Sequence, residues 1–218
     1  MKRSVTFLVV DDHPIFRQGL AALIRKNPMY QDCREAGDIE EAMTVTREYE
    51  PDIALIDISL NGKSGFDLVQ TFQTSHPRMQ QLVISMYDEA VYASMALKAG
   101  ARGYVMKHEA ASVVLGAIQT VLDGRIFLSP TMRERLIDAM FSQSGRADLL
   151  PMEQLTVREV EVLVMIGQGY GASEIADLLH ISVKTVNVHR EKLKQKLQIS
   201  DANTLRRFAI KWVQSRER

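Results

Sequence analysis

Short apolar runs alternate with segments of helical period through the first 124 residues. Thr6–Val10 (TFLVV) is apolar and β-branched almost throughout, the pattern of a strand covered on both faces. His13–Lys26 follows, with Ile15, Phe16, Leu20, Leu23 and Ile24 at helical spacing. The cycle then repeats. Cys33–Ala36 predicts a weak strand, and Asp38–Glu48 a helix with Asp38 as its N-cap. Ile53–Ile58, Gln81–Ser85 and Gly103–Met106 predict strands; Ser64–Thr74, Glu89–Ala99 and Ala110–Asp123 predict helices, the last two ended by Gly100 and Gly124. Five strand–helix repeats predict an α/β architecture, a doubly wound five-stranded parallel sheet. In such sheets ligands bind beyond the carboxyl ends of the strands.

After Gly124 the strand signals fade. Pro130–Phe141 predicts a helix, and SQSGRADLLP (142–151) has turn and loop composition. Thr156–Ile166, Ala172–Leu179, Ser182–Leu197 and Ala202–Val213 predict a small all-α domain. A short helix, a tight connection at His180-Ile181 and a longer basic helix make a helix-turn-helix pattern. The expected division is a first domain at 1–124, a linker at 125–150 that is partly helical, and a second domain at 151–218.

The length of 218 residues suits one large domain or two small ones, and 46% apolar with 25% charged residues is a folded composition. The single cysteine, Cys33, supplies neither an internal disulfide nor a cysteine-based zinc site. No apolar run approaches the roughly 20 residues of a membrane span, and the N-terminus lacks a signal-peptide layout. A soluble, cytoplasmic protein without a membrane partner is expected. Basic and acidic groups number 27 each, and a net charge of zero by itself speaks against nucleic acid. The total hides an asymmetry. Residues 1–150 carry 16 basic and 19 acidic groups, net −3, whereas His180 onward carries ten against three, net +7. A polyanion-binding module and a solvated basic helix face both account for such a bias.

Asp11 and Asp12 follow the first strand, Asp57 falls within the third, and Ser85 and Lys107 end the fourth and fifth. Each alone has an ordinary explanation, as a helix cap or a solvated strand end. A parallel sheet nevertheless brings all five to one edge. Three carboxylates there repel one another and call for a cation, and hard oxygen donors suit Mg²⁺. One carboxylate can then act as nucleophile toward phosphorus, with the lysine and the serine hydroxyl meeting the phosphoryl oxygens.

At 100° per residue from Val186, the residues Val183, Arg190, Leu193 and Leu197 fall on an inward stripe, with Arg190 at its margin. Lys184, Asn187, Val188, Glu191 and Gln195 face outward. An exposed valine beside an asparagine suits a major groove, where they meet a thymine methyl and adenine. Lys184, Lys192, Lys194 and Lys196 are expected at phosphates, with Thr185 completing the set and Ser182 as N-cap. A basic helix packed on a protein partner is the alternative.

LVVDDHPIFRQGL, ALIDISLNGKSGFDL, LVISMYDE and KAGARGYVMK stand in the order and spacing of a response-regulator receiver domain, a flavodoxin-like fold. LTVREVEVLVMIGQGYGASEIADLLHISVKTVNVHREKLKQKL resembles a LuxR-type helix-turn-helix. Together they resemble a two-component response regulator of the NarL/FixJ type. The resemblance implies that Asp57 accepts a phosphoryl group from a sensor histidine kinase or a small phosphodonor. Asp11, Asp12, Asp57 and the backbone carbonyl of Ser59 would hold Mg²⁺, Lys107 would bind a phosphoryl oxygen, and Ser85 with Tyr104 would form the switch. It further implies a homodimer, once phosphorylated or DNA-bound, on paired half-sites of double-stranded DNA. Ser59 and Tyr87 occupy positions that tune dephosphorylation in such proteins, and Tyr87 is expected to shield the phosphoryl group from water.

Two departures stand out. Lys107 precedes His108 where many receivers have proline, and Gly171-Ala172-Ser173 replaces a serine cap and Asn-Lys. Two other readings compete. An aspartate-based phosphohydrolase would carry a second Asp two residues after Asp57, where Ser59 stands, so no enzyme is expected. A regulator that binds DNA without phosphorylation is the third reading, and the complete acidic set argues against it.

Overall fold

The computed structural model describes residues 4–30, 32–141 and 155–214. The apolar runs form β1 (Thr6–Val10), β2 (Asp32–Ala36), β3 (Ile53–Ile56), β6 (Gln80–Ser85) and β7 (Tyr104–Met106), all parallel and ordered β2-β1-β3-β6-β7. Helices α1 (Pro14–Arg25), α2 (Ile39–Glu48), α3 (Gly65–Ser75), α4 (Glu89–Ala99) and α5 (Ala111–Leu122) cover both faces. Strand residues alternate between those faces. Phe7, Val9, Ile53, Leu55, Leu82, Ile84 and Val105 pack with Leu20, Ala21 and Ile24 of α1 and Val114, Ala117, Ile118 and Val121 of α5. Asp38 caps α2 by accepting from the Glu41 N–H, as its sequence position predicts.

Sequence reading missed one element. Ser59–Leu60 (β4) and Lys63–Ser64 (β5) pair antiparallel across Asn61-Gly62, with φ of 50° and 78°. Two consecutive positive φ values are what a tight hairpin turn requires, and Asn-Gly supplies them at low strain. Two-residue strands are too short to show alternation.

The chain divides into two compact units, Met1–Arg133 and Glu134–Arg218. Residues 125–133, counted with the linker from sequence, pack on the first unit. Phe127 bonds to the β7 edge through Tyr104 N–H to its carbonyl (3.1 Å) and its own N–H to Arg102 O (3.0 Å). Leu128 and Met132 are buried. The stretch 142–151 lies outside the described residues. In the second unit, α7 (Val157–Gly167), α8 (Ala172–Leu178), α9 (Val183–Lys196) and α10 (Ala202–Gln214) close over Val160, Leu163, Ile175, Val186, Leu193, Leu205 and Ala209. Helix α6 (Pro130–Phe141) precedes them.

Gly65 opens α3 against the site. A Cβ there would lie 1.9 Å from the Asp57 carbonyl oxygen, and the Gly65 N–H already bonds Ile58 O at 2.6 Å. Gly65→Ala must therefore displace the Asp57 backbone. We expect a loss of about 3 kcal/mol in thermal unfolding; an unchanged melting temperature would exclude this close approach.

Candidate functional site

The parallel ladders run one residue beyond the strands. Asp11 N–H donates to Ala36 O (3.1 Å), Asp57 N–H to Val10 O (2.9 Å) and Lys107 N–H to Ser85 O (2.7 Å). Asp57 does not lie within β3, as expected from sequence. The strand ends at Ile56, and Asp57 stands just past it, level with Asp11 on the carboxyl edge. This is the point where strand order reverses, between β1 and β3.

The Lys107 Nζ sits 2.7 Å from Asp57 Oδ2 and 2.7 Å from Asp11 Oδ2, with all three side chains at most 4% exposed. It also lies over the Phe16 ring, 4.6 Å from the centroid. Burial pushes the Asp57 carboxyl up to about 6, against the opposing pull of Lys107 and with Asp11 adding repulsion. The Ile58 N–H donates to Asp57 Oδ1 at 2.7 Å. Asp12 Oδ2 accepts from the Asn61 N–H at 2.8 Å, so the missed hairpin orients that carboxylate. Asp12 Oδ1 is buried and receives no hydrogen bond. A buried carboxylate oxygen in an acidic cluster fits a divalent cation. Donor atoms of Asp11, Asp12, His13 and Asp57 all lie within 4.8 Å of one another. Ser59 opens β4 two residues after Asp57.

Ser85 is fully buried, and its Oγ accepts from the Tyr87 N–H at 3.3 Å. The Tyr104 hydroxyl donates to the Tyr87 carbonyl at 2.7 Å. Burial holds the Tyr104 phenol well above its usual range, so it stays a neutral donor. The Tyr87 backbone thus joins Ser85 and Tyr104, and the Tyr87 ring packs on Tyr92 with centroids 5.1 Å apart. The Lys107–His108 bond is trans. Sequence reasoning overlooked Arg17, whose guanidinium donates to the Asp11 carbonyl, and the contacts of His13.

On α9, Ser182 caps the helix through the Thr185 N–H at 3.0 Å, and its Oγ lies 2.8 Å from Thr185 Oγ1. Lys184, Asn187, Val188, Glu191 and Lys192 are exposed, while Val186 and Leu193 face inward. Val183, expected inward, opens the first turn of α9 and is 43% exposed. Lys194 is partly covered and pairs with Glu191 at 2.9 Å. Lys196, expected at phosphate, instead binds Glu159 Oε2 at 2.7 Å, and that carboxylate is almost fully buried on α7. The same oxygen accepts from the Thr156 N–H at 2.7 Å, closing a capping box. Nearby, Arg158 joins buried Glu161 (2.7 Å) to the Leu179 carbonyl (2.9 Å), just before the turn into α9. Gly171 lacks a side-chain cap, and Glu174 Oε2 accepts its N–H at 2.7 Å. Among the described residues no helix is long and apolar enough to cross a membrane.

Residues 7–119 match the response regulator receiver domain family, and residues 153–209 match the bacterial regulatory proteins of the luxR family. The oxygen regulatory protein NreC of Staphylococcus carnosus is 30% identical over 208 residues, covering 94% of this chain and 96% of that protein. A LuxR-family two-component response regulator from Aurantimonas is 32% identical with a TM-score of 0.59, covering 64% of this chain and 99% of that one. RcsB from Salmonella enterica serovar Typhimurium, solved bound to a promoter with the phosphomimetic BeF₃⁻, is similar in fold at 21% identity. Its TM-score is 0.61, with 94% of this chain and 98% of that one covered.

Burial works to raise the Glu159 carboxyl, but the bonds from Lys196 and Thr156 together hold it below the usual 4.5. Its stabilisation is therefore present above the ordinary carboxylate range and is lost as pH falls through the lowered value. Trp212, the single tryptophan, lies on α10 and reports on this unit alone. We expect Lys196→Met to destabilise it by about 2 kcal/mol. Glu159→Gln should flatten the loss of stability below pH 4.5. The salt slope of DNA binding should not change in Lys196→Met; a drop of about one unit would return Lys196 to a phosphate.

Proposed function

The chain belongs to the response regulators that join a receiver domain to a LuxR-type DNA-binding domain, and on that premise we propose that phosphorylation of Asp57 controls its sequence-specific DNA binding and hence transcription. The observation that carries this reading is the Lys107 ammonium bridging two buried carboxylates beside the buried oxygen of Asp12. We assign Asp11, Asp12, Asp57 and the Ser59 carbonyl as the holders of Mg²⁺. When bound, that ion supplies positive charge that screens the carboxylates and neutralises phosphoryl oxygens.

Asp57 attacks the phosphorus of a phosphohistidine on a sensor kinase. The new P–O bond forms as the P–N bond breaks, and its electron pair returns to the imidazole. Lys107 releases Asp57 Oδ2 and takes a phosphoryl oxygen. Ser85 Oγ turns from the Tyr87 N–H to another, and Tyr104, bonded to the Tyr87 carbonyl, follows. Tyr87 shields the acyl phosphate from water. The change biases the receiver surface toward homodimerisation on paired half-sites. A protein that meets a kinase and the chromosome works in the cytoplasm.

On DNA, Lys184, Lys192 and Lys194 contact phosphates, with Thr185 at the capped start of α9. Lys194 exchanges Glu191 for phosphate at small cost, because an exposed ion pair contributes at most about 1 kcal/mol. Asn187 and Val188 read base edges, with Glu191 beside them.

Acetyl phosphate with magnesium should label the wild-type chain on an acyl phosphate and leave Asp57→Ala unlabelled. Labelling of that variant sinks the assignment, as does steady turnover of a phosphomonoester, which would mark a phosphohydrolase. Asn187→Ala and Val188→Ala should lower sequence preference by about 1–3 kcal/mol with little change in nonspecific affinity. An equal loss on every DNA sequence would make them structural.

A further inference from the structure

His13 is the one residue of the carboxylate cluster that the reading above leaves without a task. It is the N-cap of α1, with extended backbone (φ −93°, ψ 102°), yet its side chain makes no capping bond. Its N–H donates to Asp11 Oδ1 at 2.8 Å, and this tight turn carries the ring back over the site. Nδ1 then lies 3.3 Å from Asp11 Oδ1 and 2.8 Å from Asp12 Oδ1, the oxygen that receives no hydrogen bond.

We propose that His13 Nδ1 is a nitrogen donor to the divalent cation at this site, making the donor set mixed nitrogen and oxygen. The inference rests on the reading of the carboxylates as a cation site. Adjacent ligands on an octahedral ion with bonds of about 2.1 Å stand about 3.0 Å apart. The two Nδ1 separations, 2.8 and 3.3 Å, bracket that edge. On the opposite side, Lys107 Nζ occupies Asp11 Oδ2 and Asp57 Oδ2, which leaves Asp11 Oδ1, on the His13 side, as the Asp11 oxygen that the lysine does not hold. The ring is 66% exposed, so little desolvation opposes its small adjustment toward an ion. Oxygen-only sets suit Mg²⁺, whereas an imidazole raises affinity for Mn²⁺ and the later transition ions. The site therefore discriminates among divalent ions through His13 and holds phosphate-transfer chemistry through the aspartates.

The test uses the full chain with Mn²⁺ alone as a paramagnetic probe. Pulsed electron paramagnetic resonance should show ¹⁴N modulation of bound Mn²⁺ in wild type and in His108→Ala, and none in His13→Ala. Calorimetry should show His13→Ala losing about tenfold in Mn²⁺ affinity and less than about twofold in Mg²⁺ affinity. Bound Mn²⁺ without ¹⁴N modulation in wild type, or modulation that survives in His13→Ala, overturns the proposal and leaves the cation site intact. Failure of both ions to bind removes the cation site itself and this inference with it.

Discussion

One lysine ammonium shared between two buried carboxylates governs the first unit. Lys107, Asp11 and Asp57 place two negative charges and one positive where water scarcely reaches. Desolvation by burial lifts Asp57 to about 6, and the uncompensated charge of Asp11 adds to it. Each neighbouring feature answers that imbalance. The ladder bonds past β1 and β3 prevent the carboxylates from separating. The Ile58 and Asn61 N–H groups direct dipoles at Asp57 and Asp12. The absence of a side chain at Gly65 lets α3 seat against the Asp57 peptide. A group that brings charge to this edge acts on a site already held by a rigid sheet.

The second unit handles charge in the reverse sense. Two acids of α7, Glu159 and Glu161, are almost fully buried, and each takes a cation tied to one end of the segment from Leu179 to Lys196. Lys196 ties down the last turn of α9, while Arg158 grips the Leu179 carbonyl ahead of its first. A basic helix has no apolar reason to settle at a fixed angle beyond Val186 and Leu193. These polar ties supply it. Of the ten basic groups counted from His180 onward, Lys196 therefore serves attachment rather than ligand contact.

Strands β1 and β3 were legible because a parallel strand covered on both faces is apolar almost throughout, and β6 through its Leu82-Val83-Ile84 run. From them followed the convergence of Asp11, Asp12, Ser85 and Lys107, since a parallel sheet sends every carboxyl end to one edge. The hairpin at Ser59–Ser64 was not legible from period, though Asn61-Gly62 carried its turn chemistry. Helical angle placed Val186 and Leu193 correctly but says nothing of which inward-facing positions a partner covers, so Val183 was misassigned. The Lys196–Glu159 bond spans 37 residues, and no local pattern foretells which acid a long side chain will find.

The Phe127 bridge bears on where this fold can be cut. β7 is an edge strand, and its outer N–H and C=O groups would otherwise offer a template for pairing with another chain. Phe127 covers that edge, bonded to Arg102 and Tyr104 and bridged to Gly103, and Ser129 anchors the segment through the Glu89 carboxylate. A fragment ended at Gly124 would keep every strand and helix of the sheet yet bare a sticky margin, whereas one carried to Arg133 keeps it sealed. The few residues after α5 thus pair the outward backbone groups of Arg102 and Tyr104 that the sheet itself leaves open.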